Sequence, residues 1–196
     1  ILSKDNSKLV IPYNVYDNHT LENVNYLNYA AAFGSLKCFK YLLLNDFYID
    51  DKTFEYAVYG CNIEIIKIVD QKCNNNNNKN GKEITFAILK HSNDIFDWLM
   101  EKHFNKSLNM SQFALSSAKH GNAHCLSYII NVGFDINNQI IEESLKYGFY
   151  HLSKFLKKVH QYKPRQIYYI ENDLFIIKSG NLSIFKLFAN RINTED

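Results

Sequence analysis

Ala30-Ala31-Ala32-Phe33-Gly34-Ser35-Leu36-Lys37-Cys38-Phe39-Lys40-Tyr41-Leu42-Leu43 sets a grammar for the chain: a small residue, a glycine four places later, then an amphipathic apolar run. The same grammar returns in Ala57-Val58-Tyr59-Gly60-Cys61 followed by Ile63-Glu64-Ile65-Ile66-Lys67-Ile68-Val69, where Cys61 takes the glycine slot. Ala87-Ile88-Leu89-Lys90-His91 leads into Ile95-Phe96-Asp97-Trp98-Leu99, and Ser117-Ala118-Lys119-His120-Gly121 into Cys125-Leu126-Ser127-Tyr128-Ile129. Two weaker copies end at Gly148 and Gly180. The turn slot therefore falls at Gly34, Cys61, His91, Gly121, Gly148 and Gly180, with separations of 27, 30, 30, 27 and 32. A recurring spacing of this size marks a repeat architecture.

Physically the grammar reads helix, tight turn, helix. Glycine supplies the positive φ that ends the first helix. In the second helix Ile63, Ile65, Ile66, Ile68 and Val69 leave Glu64 and Lys67 for solvent, the pattern of a half-buried helix. One pair cannot close a core, so neighbours must stack. The expected fold is all-α, about six helix-turn-helix units over residues 25–196, after an N-terminal extension or partial repeat at 1–24. The stretch 72–81, Asn-rich and ending Asn80-Gly81, is expected to be one longer flexible loop. With Ile1 at one end and Asn193-Thr194-Glu195-Asp196 at the other, the array is expected to continue beyond the sequence.

Gly121-Asn122-Ala123-His124-Cys125-Leu126-Ser127-Tyr128-Ile129-Ile130-Asn131-Val132-Gly133-Phe134-Asp135-Ile136-Asn137 resembles the second helix and exit loop of an ankyrin repeat, and Asp46-Phe47-Tyr48-Ile49-Asp50 is a weaker copy of its exit segment. The block from Leu27 to Leu42 is similar to a divergent ankyrin subfamily of single-celled eukaryotes. The resemblance implies an ankyrin-like α-solenoid acting as a noncatalytic protein-protein interaction scaffold, an adaptor or a structural part of a larger, for instance cytoskeletal, assembly. Spacings of mostly 27 to 30 fall short of the roughly 33 residues of an ankyrin unit, and no copy carries Pro in the hairpin slot. Shortened or missing β-fingers are expected, which moves the contact surface toward the helix faces and the Asn-rich loop.

Composition narrows the classes. The 196 residues are 46% hydrophobic, which excludes a disordered polymer, and 22 Lys and Arg against 20 Asp and Glu leave only +2, too little to argue globally for nucleic acid. Four cysteines, Cys38, Cys61, Cys73 and Cys125, form no CxxC pair, so reduced thiols in a cytoplasmic setting fit better than a disulfide framework. No apolar run approaches the roughly 18 residues of a membrane span. Abundant Asn, Ile, Lys, Tyr and Phe read as the codon bias of an AT-rich genome, and the Asn74 to Asn78 run receives no chemistry.

The sharper chemical readings are weak. His120, His124 and Cys125 approach metal-ligand spacing, but Gly121 places His120 at the end of one helix and His124 in the next. Glu142-Glu143 and Asp50-Asp51 are adjacent carboxylates that point in different directions on a helix. No GxSxG, phosphate-binding loop or GxGxxG occurs. Neither catalytic residues, metal, cofactor nor small-molecule substrate is therefore expected; the expected partners are other proteins. Tyr26, Tyr29, Tyr56 and Tyr59 on the first helices are read as exposed candidates for the contact face. Lys146, Lys154, Lys157, Lys158, Lys163 and Arg165, with no acid between Glu143 and Glu171 and with interleaved aromatics, form a candidate basic patch. An acidic protein surface is its first expected partner, with nucleic acid or another polyanion as the alternative.

Overall fold

A computed structural model describes residues 9–11, 21–72, 81–103, 109–159, 177 and 179–189. The chain divides into two compact units, Ile1–Phe104 and Asn105–Asp196. In the first, β1 (Leu9–Ile11) and β2 (Leu21–Val24) form an antiparallel ribbon, an addition that the all-α expectation did not contain. Helix pairs follow: α1 (Tyr26–Ala32) with α2 (Leu36–Leu44), α3 (Thr53–Tyr59) with α4 (Ile63–Lys72), and α5 (Lys82–Leu89) with α6 (Asn93–His103). The second unit holds α7 (Met110–His120) with α8 (Ala123–Asn131), α9 (Asn138–Lys146) with α10 (Tyr150–Val159), and α11 (Leu182–Ala189). Apart from the ribbon, the described elements are helical. The expected loop insertion falls mostly on residues 73–80, outside the described residues, as do the weaker sixth copy's residues before 177.

Each first helix ends in the same way. Gly34, Cys61, His91, Gly121, Gly148 and Gly180 all have positive φ, between 52° and 81°. The slot read from the sequence is thus a left-handed turn in every copy, adopted even by Cys61 and His91 at a steric cost of about 1–2 kcal/mol for a residue with a Cβ. Two reverse hydrogen bonds close the first turn: Gly34 N–H donates to the Ala31 carbonyl and Ser35 N–H to that of Ala30, both at 2.9 Å. The same six-to-one bond recurs from Ser92 to Ala87, Asn122 to Ser117 and Phe149 to Ser144, the arrangement of a Schellman cap. In these four turns the small residue of the grammar, Ala30, Ala87, Ser117 or Ser144, is the acceptor. Ala57, Ala87, Ser117 and Ser144 are fully buried there, where a larger side chain would hold neighbouring pairs apart.

The residue after the slot joins one pair to the next. Asn62 accepts from the Glu64 and Ile65 amides at 3.0 and 3.2 Å, capping α4, while its Nδ2 donates back to the Gly34 carbonyl at 3.0 Å. Asn181 repeats both halves, capping α11 and donating to the Gly148 carbonyl at 3.0 Å. Ser92 makes the corresponding reach through its hydroxyl, 2.8 Å from Cys61 Sγ. Phe149 does it with carbon: a Cβ built on Gly121 would overlap its ring. Backbones also meet directly, since a Cβ on Gly60 would overlap the Ala31 carbonyl.

The apolar face of the pattern fills the space between pairs. First helices stack most closely, α1 on α3, α3 on α5 and α7 on α9, whereas α2 and α4 touch lightly. Phe39, Ile65, Val69, Ile84, Phe96, Leu99 and Met100 are fully buried in the first unit, and Ala114, Cys125, Ile129, Ile140 and Leu156 in the second. Each large aliphatic or aromatic side chain contributes about 1.5–3 kcal/mol by leaving water. At the other end of the pairs, the linkers at 45–52 and 132–137 contain no strand. The first is held by polar contacts instead: Asp50 Oδ2 accepts from Asn25 and Asn28 Nδ2 at 2.9 and 2.8 Å, and its Oδ1 from the Lys52 amide and the Thr53 hydroxyl.

Two substitutions test this construction. Gly60 has φ −77°, where alanine costs no backbone strain, so Gly60→Ala reads the overlap with the backbone of the preceding turn at Ala31 and Gly34 and is expected to lower unfolding free energy by about 2–3 kcal/mol in urea titrations. Asn62→Asp keeps the cap and loses the Nδ2 donor. A loss of about 1 kcal/mol for Asn62→Asp, and a further loss of similar size for Asn62→Ala, is the expected order.

Candidate protein-binding surfaces

The four tyrosines separate in the structure. Tyr26 is half-buried and meets the Phe47 ring edge-on at 6.3 Å, tying α1 to the exit loop of its own pair. Tyr29, also half-buried, lies against Phe33 one turn later, with centroids 4.7 Å apart, and Phe33 is 56% exposed. Tyr56 and Tyr59 are not exposed as the sequence suggested: they retain 4% and 9% of their surface. The next pair is the reason for Tyr59, whose ring takes the edge of Phe86 at 5.6 Å and the Lys90 ammonium at 3.9 Å. Of the four tyrosines, Tyr26 and Tyr29 thus keep partial exposure, and Phe33 beside Tyr29 is an exposed aromatic at the end of α1. Phe33, the residue before the turn slot, was not singled out from sequence; its position one helical turn after Tyr29 was the available signal.

Burial also sets the chemistry of Tyr56. Loss of water around the phenol, and then the negative charges of Asp50 and Glu55, raise its pKa above the ordinary 10.0.

The histidines and cysteine of the metal-like spacing diverge as the turn requires. His120 ends α7 and its Nδ1 donates to the Ser116 carbonyl at 2.8 Å, His124 is exposed on α8, and Cys125 is fully buried beneath it. Cys61 is half-buried and Cys38 exposed.

Second helices carry different electrostatics in the two units. In the first, Lys40 pairs with Glu64 at 3.3 Å from α2 to α4, and Lys102 of α6 pairs with Asp70 of α4 while lying 5.0 Å from the Trp98 ring centroid. In the second, the basic patch is only partly assembled. Lys146 reaches Glu143 at 3.8 Å and the Tyr147 ring at 5.4 Å, Lys154 is exposed with its ammonium 5.9 Å from the Tyr150 ring, Lys157 is half-buried and Lys158 exposed. Lys163 and Arg165 lie outside the described residues. Phe155, 47% exposed on the same helix, is an apolar member that the charge pattern concealed.

No protein-family model matches the sequence, and no curated protein does. Among the described residues no helix is long and apolar enough to cross a membrane.

A phenol whose folded pKa is raised stabilises the fold fully below the unfolded value of 10.0, and that contribution is lost as pH climbs from there through the folded value. Tyr56→Phe removes the ionisation. Urea midpoints measured from about pH 9 to about pH 11 should fall less steeply for Tyr56→Phe than for the parent chain.

Proposed function

We propose that the chain is a noncatalytic scaffold for protein-protein interaction, built as an ankyrin-like α-solenoid and serving as an adaptor or as a structural part of a larger cytoplasmic assembly. The observation that carries this reading is the repeated joint, a left-handed slot followed by a residue that caps one helix and grips the preceding turn, at Gly34 and Asn62 and again at Gly148 and Asn181. A joint of this kind adds identical modules in a line, and a line of modules offers partners an extended surface rather than one enclosed cavity. Tyr29 with exposed Phe33 is the aromatic part of that surface in the first unit; exposed aromatics of this type anchor interfaces. The short linkers at 45–52 and 132–137 favour contact through helix faces over contact through loop tips.

Binding to nucleic acid through 146–165 has less support. Lys154 and Lys158 are exposed, but Lys146 already faces Glu143.

A photocrosslinking amino acid placed at position 33 in cells tests the reading. One discrete protein adduct from position 33, weakened by Tyr29→Ala and absent when the probe sits at position 67 on α4, is the expected result. Equal adducts from both positions, or none, would remove the first-helix face as the partner site.

A further inference from the structure

An open groove of about 670 Å³ crosses the turn end of the second unit. Its walls are Ala123 and Ser127 of α8 on one side and Asn181 and Ser183 at the start of α11 on the other, with Tyr150, His151 and Phe155 of α10 between them. Its size is that of a pocket taking a few side chains or a small ligand. Phe155 opens into it with 47% of its surface exposed, and the same helices expose Val159 at 48%, Leu182 at 63% and Phe185 at 37%. Their sequence neighbours Leu156 and Ile184 are fully buried and hold α10 and α11 in place.

Charge singles the groove out further. The three helices that border it, α8, α10 and α11, contain no Asp or Glu, and carry His124, His151, Lys154, Lys157, Lys158 and Lys186. In the first unit α2 also lacks acids, but its Lys40 is paired with Glu64 of α4, and α4 and α6, which hold acids as well as bases, are joined by Lys102–Asp70. On α10 the exposed residues Lys154, Phe155, Lys158 and Val159 alternate cation with carbon along one face at helical spacing.

From this combination we infer that the groove along α10 docks an acidic peptide segment that carries apolar anchor residues, with Phe155 receiving an anchor and Lys154 and Lys158 facing the carboxylates. The inference rests on the interaction-scaffold reading and names a partner chemistry for it. Carboxylates meet a face with no acids of its own, where complementary potential both speeds encounter and rejects basic competitors. Exposed Leu182 and Val159 add aliphatic carbon beside the Tyr150, His151 and Phe155 rings of the groove, and apolar peptide side chains cover such carbon where stacked bases would use the rings alone.

The probe is a fluorescein-labelled helical peptide of glutamate and leucine, titrated into the full chain and followed by anisotropy. Saturable binding is expected, weakened about tenfold or more by Phe155→Ser and by Lys154→Glu with Lys158→Glu, and unchanged by Lys40→Glu in the first unit. All these positions are exposed, and matching circular dichroism melts establish that the variants fold. An acidic peptide of glutamate and serine should bind far more weakly, which separates anchoring from charge alone. Binding insensitive to the α10 variants, equal binding of the serine peptide, or binding of a labelled oligonucleotide in place of the peptide would each overturn the inference. No peptide binding together with a discrete adduct from position 33 defeats this inference and leaves the scaffold reading standing; failure of both defeats both.

Discussion

A helix that must stop and hand the chain to a second helix within one or two residues leaves its last carbonyls without intrahelical partners. Water can satisfy them only if the turn is exposed, and in a stack the turn of one pair lies against the next. The left-handed residue at Gly34, Cys61, His91, Gly121, Gly148 and Gly180 answers this by curling the backbone so that the following amides point back at those carbonyls. The carbonyls of the slot residues Gly34 and Gly148 accept from the amides of Leu36 and Tyr150, and Asn62 and Asn181 add a second hydrogen bond to them from the next module. Capping and module-to-module contact are therefore one side chain's work.

Everything else is arranged around that closeness. Alanine or serine stands where the first helix turns, buried at Ala57, Ala87, Ser117 and Ser144, because a larger group would part the backbones. Gly60 lets α3 approach the Ala31 carbonyl, and Phe149 lies over Gly121. First helices, brought together by these contacts, close over Tyr59, while α2 and α4 touch only lightly. The free energy of such a stack resides in nearest-neighbour interfaces, so a defect weakens two modules and spares those beyond.

The slot positions were legible in the sequence because backbone geometry leaves few residues free to vary there, and Gly34, Gly121, Gly148 and Gly180 announce themselves. Even Cys61 and His91 could be placed by register. The asparagines were not legible: their abundance reads as compositional drift, yet Asn25, Asn62, Asn109, Asn122, Asn137 and Asn181 each accept from an amide at a helix start. Composition hid a positional signal. Burial of Tyr56 and Tyr59 was missed because helical periodicity gives a face but not what covers it; Phe86 and Lys90, some thirty residues on, cover Tyr59. The basic stretch was visible as charge, whereas Phe155 and the groove depend on which helices lie side by side.

Where the grip on the preceding turn is seen, slot and gripping residue are adjacent: Cys61-Asn62, His91-Ser92, Gly148-Phe149, Gly180-Asn181. Slot-to-slot separations nevertheless run from 27 to 32. All of that variation must accumulate away from the joint, in the helices' far ends and the connections between pairs, where the Asn-rich insertion also falls. A gene encoding such a chain can gain or lose residues on one edge without disturbing the register of the other, so the lineage is free to experiment with length at the far edge while the joint preserves the order of its modules.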